Sequence, residues 1–347
     1  MKIDSFIQYK DIVDKYCKKG VLSNNYIQNE VADLIIHDAL SVDQYTSNVF
    51  FYVQKEAGKR LYYYINDLKE DADFNAYDDL VIEILFRNNA LPSEEIDYFL
   101  RKGFRINVVR DQYSGVYKNL ESASCPAPEI KVETAHSVSE VEKACLLFNS
   151  SFDALSGDYI PENKDMYEYL RAYQHILIAY NSTNMQFLGA LHQDWHNSIN
   201  IISHIAVKPS ARGKGVGKAL MDAFVERNHK SEDTRYMLWV QQQNEAAVKM
   251  YRNKGFQFVN KSTISLIKDK SYMEKLLKIL KGIRPDVDFA NEKALIEDGI
   301  LDSFDVVSII SELDDEFGVQ IKITELDPEN FNSAESIWRM VEQLKKK

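Results

Sequence analysis

Between Val207 and Leu220 the chain reads VKPSARGKGVGKAL, with glycines at 213, 215 and 217 and cations at Arg212, Lys214 and Lys218. The preceding run, INIISHIAV, has the composition of a strand. After it, Ala219, Leu220, Ala223 and Phe224 repeat at helical spacing. Glycines in such a turn let backbone approach a ligand without side-chain hindrance. The unpaired N–H groups and the positive dipole end of the helix then point at one spot. That is an anion site suited to a pyrophosphate. The plainer alternative is a glycine-rich connection with surface cations. The spacing is not that of a dinucleotide fold, no acidic residue follows in a βαβ unit, and the Walker pattern is absent.

A second set of chemical groups lies further on, where Asn244, Ala247, Met250, Tyr251, Gly255 and Phe256 read N-x-x-A-x-x-M-Y-x-x-x-G-F. Both stretches together, in this order, resemble the GNAT acyltransferase superfamily, over roughly Glu129–Lys268. The resemblance implies an α/β (α+β) fold with a mixed central sheet and an acyl-CoA or acetyl-CoA donor. It implies that Arg212, Gly213, Lys214, Gly215, Val216, Gly217 and Lys218 wrap the pyrophosphate of coenzyme A. Backbone groups of Ile205 and Val207 would pair with the pantetheine, and Asn244 would bond the pantetheine or pyrophosphate region. Tyr251 matches the phenol that protonates the departing thiolate. Acyl transfer from a thioester needs a positioned nucleophile, oxyanion donors and such an acid. A core aromatic on an amphipathic helix is the alternative for Tyr251.

For the general base, His204 has a suitable intrinsic pKa. Neighbours on a strand face opposite sides, so only one of Ser203 and His204 should look into the cleft. The family's strand bulges near here, so periodicity leaves the choice open, and a packed or solvated histidine is the competing reading. His192, Asp194 and His196 read as solvated residues at a strand end, and no metal site is expected.

The last segment holds another reactive group. Leu295–Ile321 reads LIEDGILDSFDVVSIISELDDEFGVQI. Asp302 or Ser303 could simply cap the helix Phe304–Phe317. The stretch resembles carrier proteins that bear 4′-phosphopantetheine on the serine of G-x-x-D-S-[LF], here Gly299, Asp302, Ser303 and Phe304. With the ITELDP that follows, it looks most like the D-alanyl carrier group. The resemblance implies a four-helix carrier bundle, a phosphopantetheinyl transferase as partner, and an adenylating or ligase enzyme to load the arm. Eight Asp/Glu and no Lys/Arg lie between Glu297 and Glu316. That face is either solvated or a docking surface for a basic enzyme.

These groups need elements to hold them. His175–Tyr180, Phe187–Asp194, Ile199–Val207, Tyr236–Val240 and Phe256–Ile267 read as strands, and Asn244–Lys254 as a helix stopped by Gly255. At the C-terminus, Tyr272–Ile283, Phe304–Phe317 and Ser333–Leu344 read as helices, with Val306, Val307, Ile310, Leu313 and Phe317 as one apolar stripe. Breaks at Glu121–Glu129 (ESASCPAPE) and Lys268–Ser271 divide the chain. The expected domains are 1–120, the linker 121–129, 130–268 and 272–347. In the first third, Asn48–Ile65 suggests a hairpin turning at Ala57–Gly58, followed by strand Leu80–Phe86, helix Ser93–Lys102, Gly103-Phe104 and a further strand. That order repeats Tyr236–Val259, with Phe99 where Tyr251 falls. A degenerate second GNAT-like copy in tandem, or an unrelated adaptor, fits it.

The chain has 347 residues, with 42 Lys+Arg against 53 Asp+Glu and a net charge of −11. This argues against nucleic acid as a general partner. No membrane span or secretory leader is expected, and Cys17, Cys125 and Cys145 suit a reducing cytoplasm. The leading expectation is an N-acyltransferase working with its tethered carrier, its acceptor a small amine or a carrier-bound aminoacyl group. The alternatives are S-acyl loading of Ser303 (with decarboxylation in some relatives of that type) and a non-catalytic scaffold joined to a carrier.

Overall fold

The computed structural model describes the chain except residues 57, 75, 78, 122–128, 153–154, 156–158, 269–270, 322–326 and 346–347. The hairpin tip at Ala57, most of the expected linker 121–129 with Cys125, half of the break Lys268–Ser271 and most of ITELDP fall outside the described residues. Two compact units emerge, Met1–Ile267 and Lys268–Lys347.

The first unit runs α1 (Phe6–Tyr16), β1 (Leu22–Ser23), α2 (Val31–Ile36), β2 (Leu40–Gln44), β3 (Val49–Lys55), β4 (Gly58–Ile65), β5 (Leu80–Arg87), α3 (Ser93–Arg101), β6 (Arg105–Val116), β7 (Ile130–Thr134), α4 (Val138–Ser151), α5 (Lys164–Ala172), β8 (Ile176–Asn181), β9 (Phe187–His196), β10 (Ile199–Val207), α6 (Val216–Asn228), β11 (Arg235–Gln241), α7 (Glu245–Lys254) and β12 (Gln257–Lys268). A single mixed sheet takes the order β2-β3-β4-β5-β12-β6-β11-β10-β9-β8-β7, with β1 added on β4.

Two parallel pairs, β4/β5 and β10/β11, flank the antiparallel centre β12/β6. The two arms therefore mirror each other about that centre, the arm ending in β7 being longer by one strand. Each half sends its last strand across: β12 lies beside β5, and β6 pairs with β11 from Val116↔Arg235 to Arg110↔Gln241. The stretches 1–120 and 130–268 thus share one sheet rather than closing two. The exchange also explains why β6 outruns the strand expected from RINVV. Its polar continuation is paired on both edges, Asp111 with Val240 and with Ser262.

Helices cover the sheet where apolar side chains alternate outward. Tyr236, Leu238 and Val240 of β11 join Leu220 and Phe224 of α6 and Tyr251 of α7 in one core. Val141, Ala144 and Phe148 of α4 pack with Ile178, Ala190 and Ala206. Each fully buried side chain of this size contributes roughly 1.5–3 kcal/mol by removal from water. Between α6 and α7, Lys254 Nζ lies 2.6 Å from Asp222 Oδ1, with both side chains buried.

The second unit contains α8 (Ser271–Ile283), α9 (Ser303–Phe317), the single turn α10 (Pro328–Phe331) and α11 (Ala334–Lys345). Its core gathers Leu276, Leu280, Ile309, Leu313, Ile337 and Val341. The stripe expected on α9 holds at Val306, Ile310, Leu313 and Phe317, but Ile309 joins it fully buried, whereas Val307 is 64% exposed. No helix among the described residues is long and apolar enough to cross a membrane.

Candidate active site

β10 and β11 pair only from Ile199↔Arg235 to Ile202↔Leu238, although β10 continues to Val207 and β11 to Gln241. Beyond that point the strands part. The register of β10 against β9 also shifts between Ile202 and His204, making Ser203 a bulge. A cavity of about 670 Å³ opens at the split, lined by Ser203, His204 and Ile205 of β10, Trp239–Gln241 of β11, and Asn244, Ala247 and Tyr251 of α7.

The open edge of β10 can be read from its hydrogen bonds. The N–H of Lys208 donates to Leu188 O of β9, at 2.9 Å. Backbone groups alternate edges along a strand, so those of Val207 and Ile205 face the split. The Arg212 Nε–H donates to Val207 O at 3.4 Å.

At the end of this edge the glycine loop turns into α6. Gly213 and Gly215 both have positive φ, 75° and 84°, and Gly215 is the N-cap. No side chain caps this helix, so the first-turn amides are open to an anion. Arg212, Lys214 and Lys218 are exposed around it, and Val216 anchors the turn in the core. Gly217 sits against α7, where a Cβ would meet Met250 Sδ at 3.3 Å.

Asn244 is the N-cap of α7, its Oδ1 accepting the Ala247 N–H at 3.1 Å, which leaves the amide NH₂ available. Asn244, Ala247 and Tyr251 share one helical face toward the cavity. Tyr251 is 3% exposed, and burial pushes its phenol pKa above the ordinary value. It therefore stays protonated and able to donate.

His204 lies on the α4 side, its ring 5.4 Å from Phe148 and 5.1 Å from Phe152. Its Nδ1 is 3.1 Å from His192 Nδ1, and the two rings are stacked. His192 is thus not the solvated strand-end residue expected; it is half-buried, its ring 6.4 Å from that of Phe148 on α4, because β9 runs on to His196 before turning. Burial above all, then His204 and His175, press its pKa down to about 3. Asp194 and His196 are exposed, as expected.

The first third of the chain supplies the far wall, which motif reading missed. Arg60 and Tyr62 of β4, Glu83 and Leu85 of β5, Arg110 of β6 and Tyr26 line the same cavity. Tyr26 donates to Glu83 O at 2.9 Å and meets Tyr62 edge-on, and Arg110 Nη1 lies 3.9 Å from Glu83 Oε1. The hint was the tyrosine-rich hairpin followed by one acid in LVIEILF, but only the shared sheet brings them here.

Residues 142–266 match the family model described as an acetyltransferase (GNAT) domain. The middle of the chain is a GNAT-like domain. A mycothiol acetyltransferase of Renibacterium salmoninarum is 38% identical over 61 residues, 18% of this chain and 18% of that protein. Only about a fifth of that relative's length is therefore spanned. Among solved structures, a GCN5-related N-acetyltransferase from Sphaerobacter thermophilus aligns at a TM-score of 0.46 with 13% identity, covering 63% of this chain and 76% of that one. Another from Kribbella flavida gives 0.44 with 11% identity, covering 71% and 97%.

In the second unit, Asp302 is the helix cap. Its carboxylate accepts the N–H groups of Phe304 at 2.7 Å and Asp305 at 2.9 Å. Ser303 is the next residue, exposed at the first helical position, and its hydroxyl is not needed for the cap. Phe304 beside it is 85% exposed.

Proposed function

We propose that the chain is an acyl-CoA-dependent N-acyltransferase whose C-terminal unit is a phosphopantetheine carrier. The parting of β10 from β11 beside the buried phenol of Tyr251 carries this reading. The residues fit coenzyme A: an uncapped helix N-terminus with two left-handed glycines and three cations suits a diphosphate, and an open strand edge suits the pantetheine amides.

In this reading Ile205 and Val207 pair with the pantetheine as an added strand. Arg212–Lys218 hold the diphosphate, and the Asn244 amide donates to the same chain. A neutral amine attacks the thioester carbonyl, so a C–N bond forms and the C–S bond breaks. Tyr251 gives its proton to the sulfur that leaves. His204, oriented by neutral His192, takes the proton lost by the amine. The acetyl group named for the curated relative is the first acyl group to try.

Exposed Ser303, relieved of capping by Asp302, supports the carrier half of the reading. A phosphopantetheinyl transferase would install the arm, and an adenylating enzyme would load it. The aminoacyl group so held is one candidate acceptor, and a free small amine is the other. Calorimetry with coenzyme A, followed by acetyl-CoA turnover against an amine panel, tests the first half. Failure to bind coenzyme A would sink it.

A further inference from the structure

A second groove, of about 530 Å³, is lined by neighbouring residues of the same strands. Three strands step from one to the other on a single face: Leu85 to Arg87 on β5, Thr263 to Lys261 on β12, and Trp239 to Met237 on β11. A two-residue step on one face advances about 6.5 Å, so Arg235, four residues from Trp239, lies ~13 Å along.

The cavity end holds the carboxylate of Glu83 together with Arg60 and Arg110, while the groove end is lined by Arg87, Arg235 and Lys261 and by no acidic residue, in a chain of net charge −11. None of these three side chains is in an ion pair among the described residues. The nearby Asp233 carboxylate is engaged by Lys118 at 2.8 Å. Lys261 Nζ lies 5.5 Å over the Trp239 ring, which ties the two ends together. Burial, and then the charge of Arg87, press the Lys261 pKa below its ordinary value. Arg235 also acts on the Asp233 carboxylate, but no carboxylate lines the groove itself, and cations gathered there attract an anion.

We infer that the acceptor is an elongated amine bearing a carboxylate or phosphate ~10–13 Å from its nitrogen, with the anion held by Arg87, Lys261 and Arg235. The inference rests on the acyltransferase reading for the identity of the amine. The recognition itself is a binding property of the groove.

The test titrates the full chain, with and without coenzyme A, with ω-aminooctanoate, ω-aminooctyl phosphate and neutral ω-aminooctanamide. The charged probes should bind about tenfold more tightly than the amide, the size of one charge-assisted hydrogen bond. The better of the two distinguishes carboxylate from phosphate. In Arg87→Ala/Lys261→Ala the preference should shrink to within about twofold, with coenzyme A affinity unchanged. Equal binding of charged and neutral probes, or a preference that survives the double variant, overturns the inference. Loss of coenzyme A binding by the wild type would instead overturn the acyltransferase reading, and the titrations without coenzyme A would still decide this one.

Discussion

Phe99 and Tyr251 hold the same position in two helices. In α3 the Phe99 carbonyl accepts the Phe104 N–H at 3.1 Å, and in α7 the Tyr251 carbonyl accepts the Phe256 N–H at 3.0 Å. Gly103 and Gly255 make the intervening turn, both with positive φ. The surroundings differ. Phe99 is sealed in a core with Tyr63, Phe74 and Phe104, whereas Tyr251 reaches the cavity at the β10/β11 split. One helix carries a phenol at a cavity; at the same place the other carries a ring sealed in packing.

That contrast gives the first prediction. Tyr251→Phe should lower kcat about 10²-fold, the usual worth of a positioned acid, while coenzyme A affinity stays within about twofold. Because burial raises the phenol pKa, kcat of the wild type should show no alkaline decline from this group below about pH 10. Steady-state kinetics and calorimetry on both proteins check it. Unchanged kcat would remove Tyr251 from the mechanism.

Gly215 tests the anion loop. Its φ of 84° is left-handed, and a side chain there costs roughly 1–2 kcal/mol. Relief of that strain would turn the first amides of α6 away from the diphosphate. Gly215→Val should therefore weaken coenzyme A binding about tenfold or more, with only a small loss in Tm. A variant that binds normally would show that these amides do not form the site.

Asp222→Asn strands the Lys254 ammonium, which is buried between α6 and α7. Breaking one side of a buried pair costs about 3–5 kcal/mol. The double change Asp222→Leu/Lys254→Met removes both charges and should recover most of that loss in urea unfolding. If the single variant is as stable as wild type, the pair is solvated in solution.

Ser303 can be tested by intact mass. Treated with coenzyme A and a phosphopantetheinyl transferase, the wild type should gain one phosphopantetheine and Ser303→Ala none. An equal gain in both would locate the modification elsewhere, and no gain in either would end the carrier proposal.

The sequence was most readable where local chemistry decides the structure. Gly213 and Gly215 announced a tight turn, Gly255 a stop, and INIISHIAV a strand that the structure keeps as Ile199–Val207. Less readable was anything set by a distant partner. Alternation in LVIEILF says which residues share a face, but not that Glu83 will face Tyr251 across a cavity; that follows from β12 and β6 crossing between the halves. Val307 looked like a core residue because it adjoins the true stripe, and only the packing of α8 and α11 against Ile309 and Leu313 settles the helix rotation. His192 looked solvated because the polar residues after it suggested a loop.

His192 also sets an acid limit on stability. Its folded pKa is near 3, pressed down first by burial, against an ordinary 6.5. As pH falls below 6.5 the unfolded chain takes up a proton here and the folded chain does not. Stability carried by neutral His192 is complete above pH 6.5 and is lost progressively down to about pH 3, at up to about 1.4 kcal/mol per pH unit. Between pH 7 and 5 that amounts to about 2 kcal/mol. His192→Gln does not titrate and should lose less stability than the wild type over the same range, whatever the surface carboxylates contribute to both. Urea midpoints at the two pH values measure the difference, and parallel losses in the two proteins would mean that His192 is protonated as readily in the fold as in the open chain.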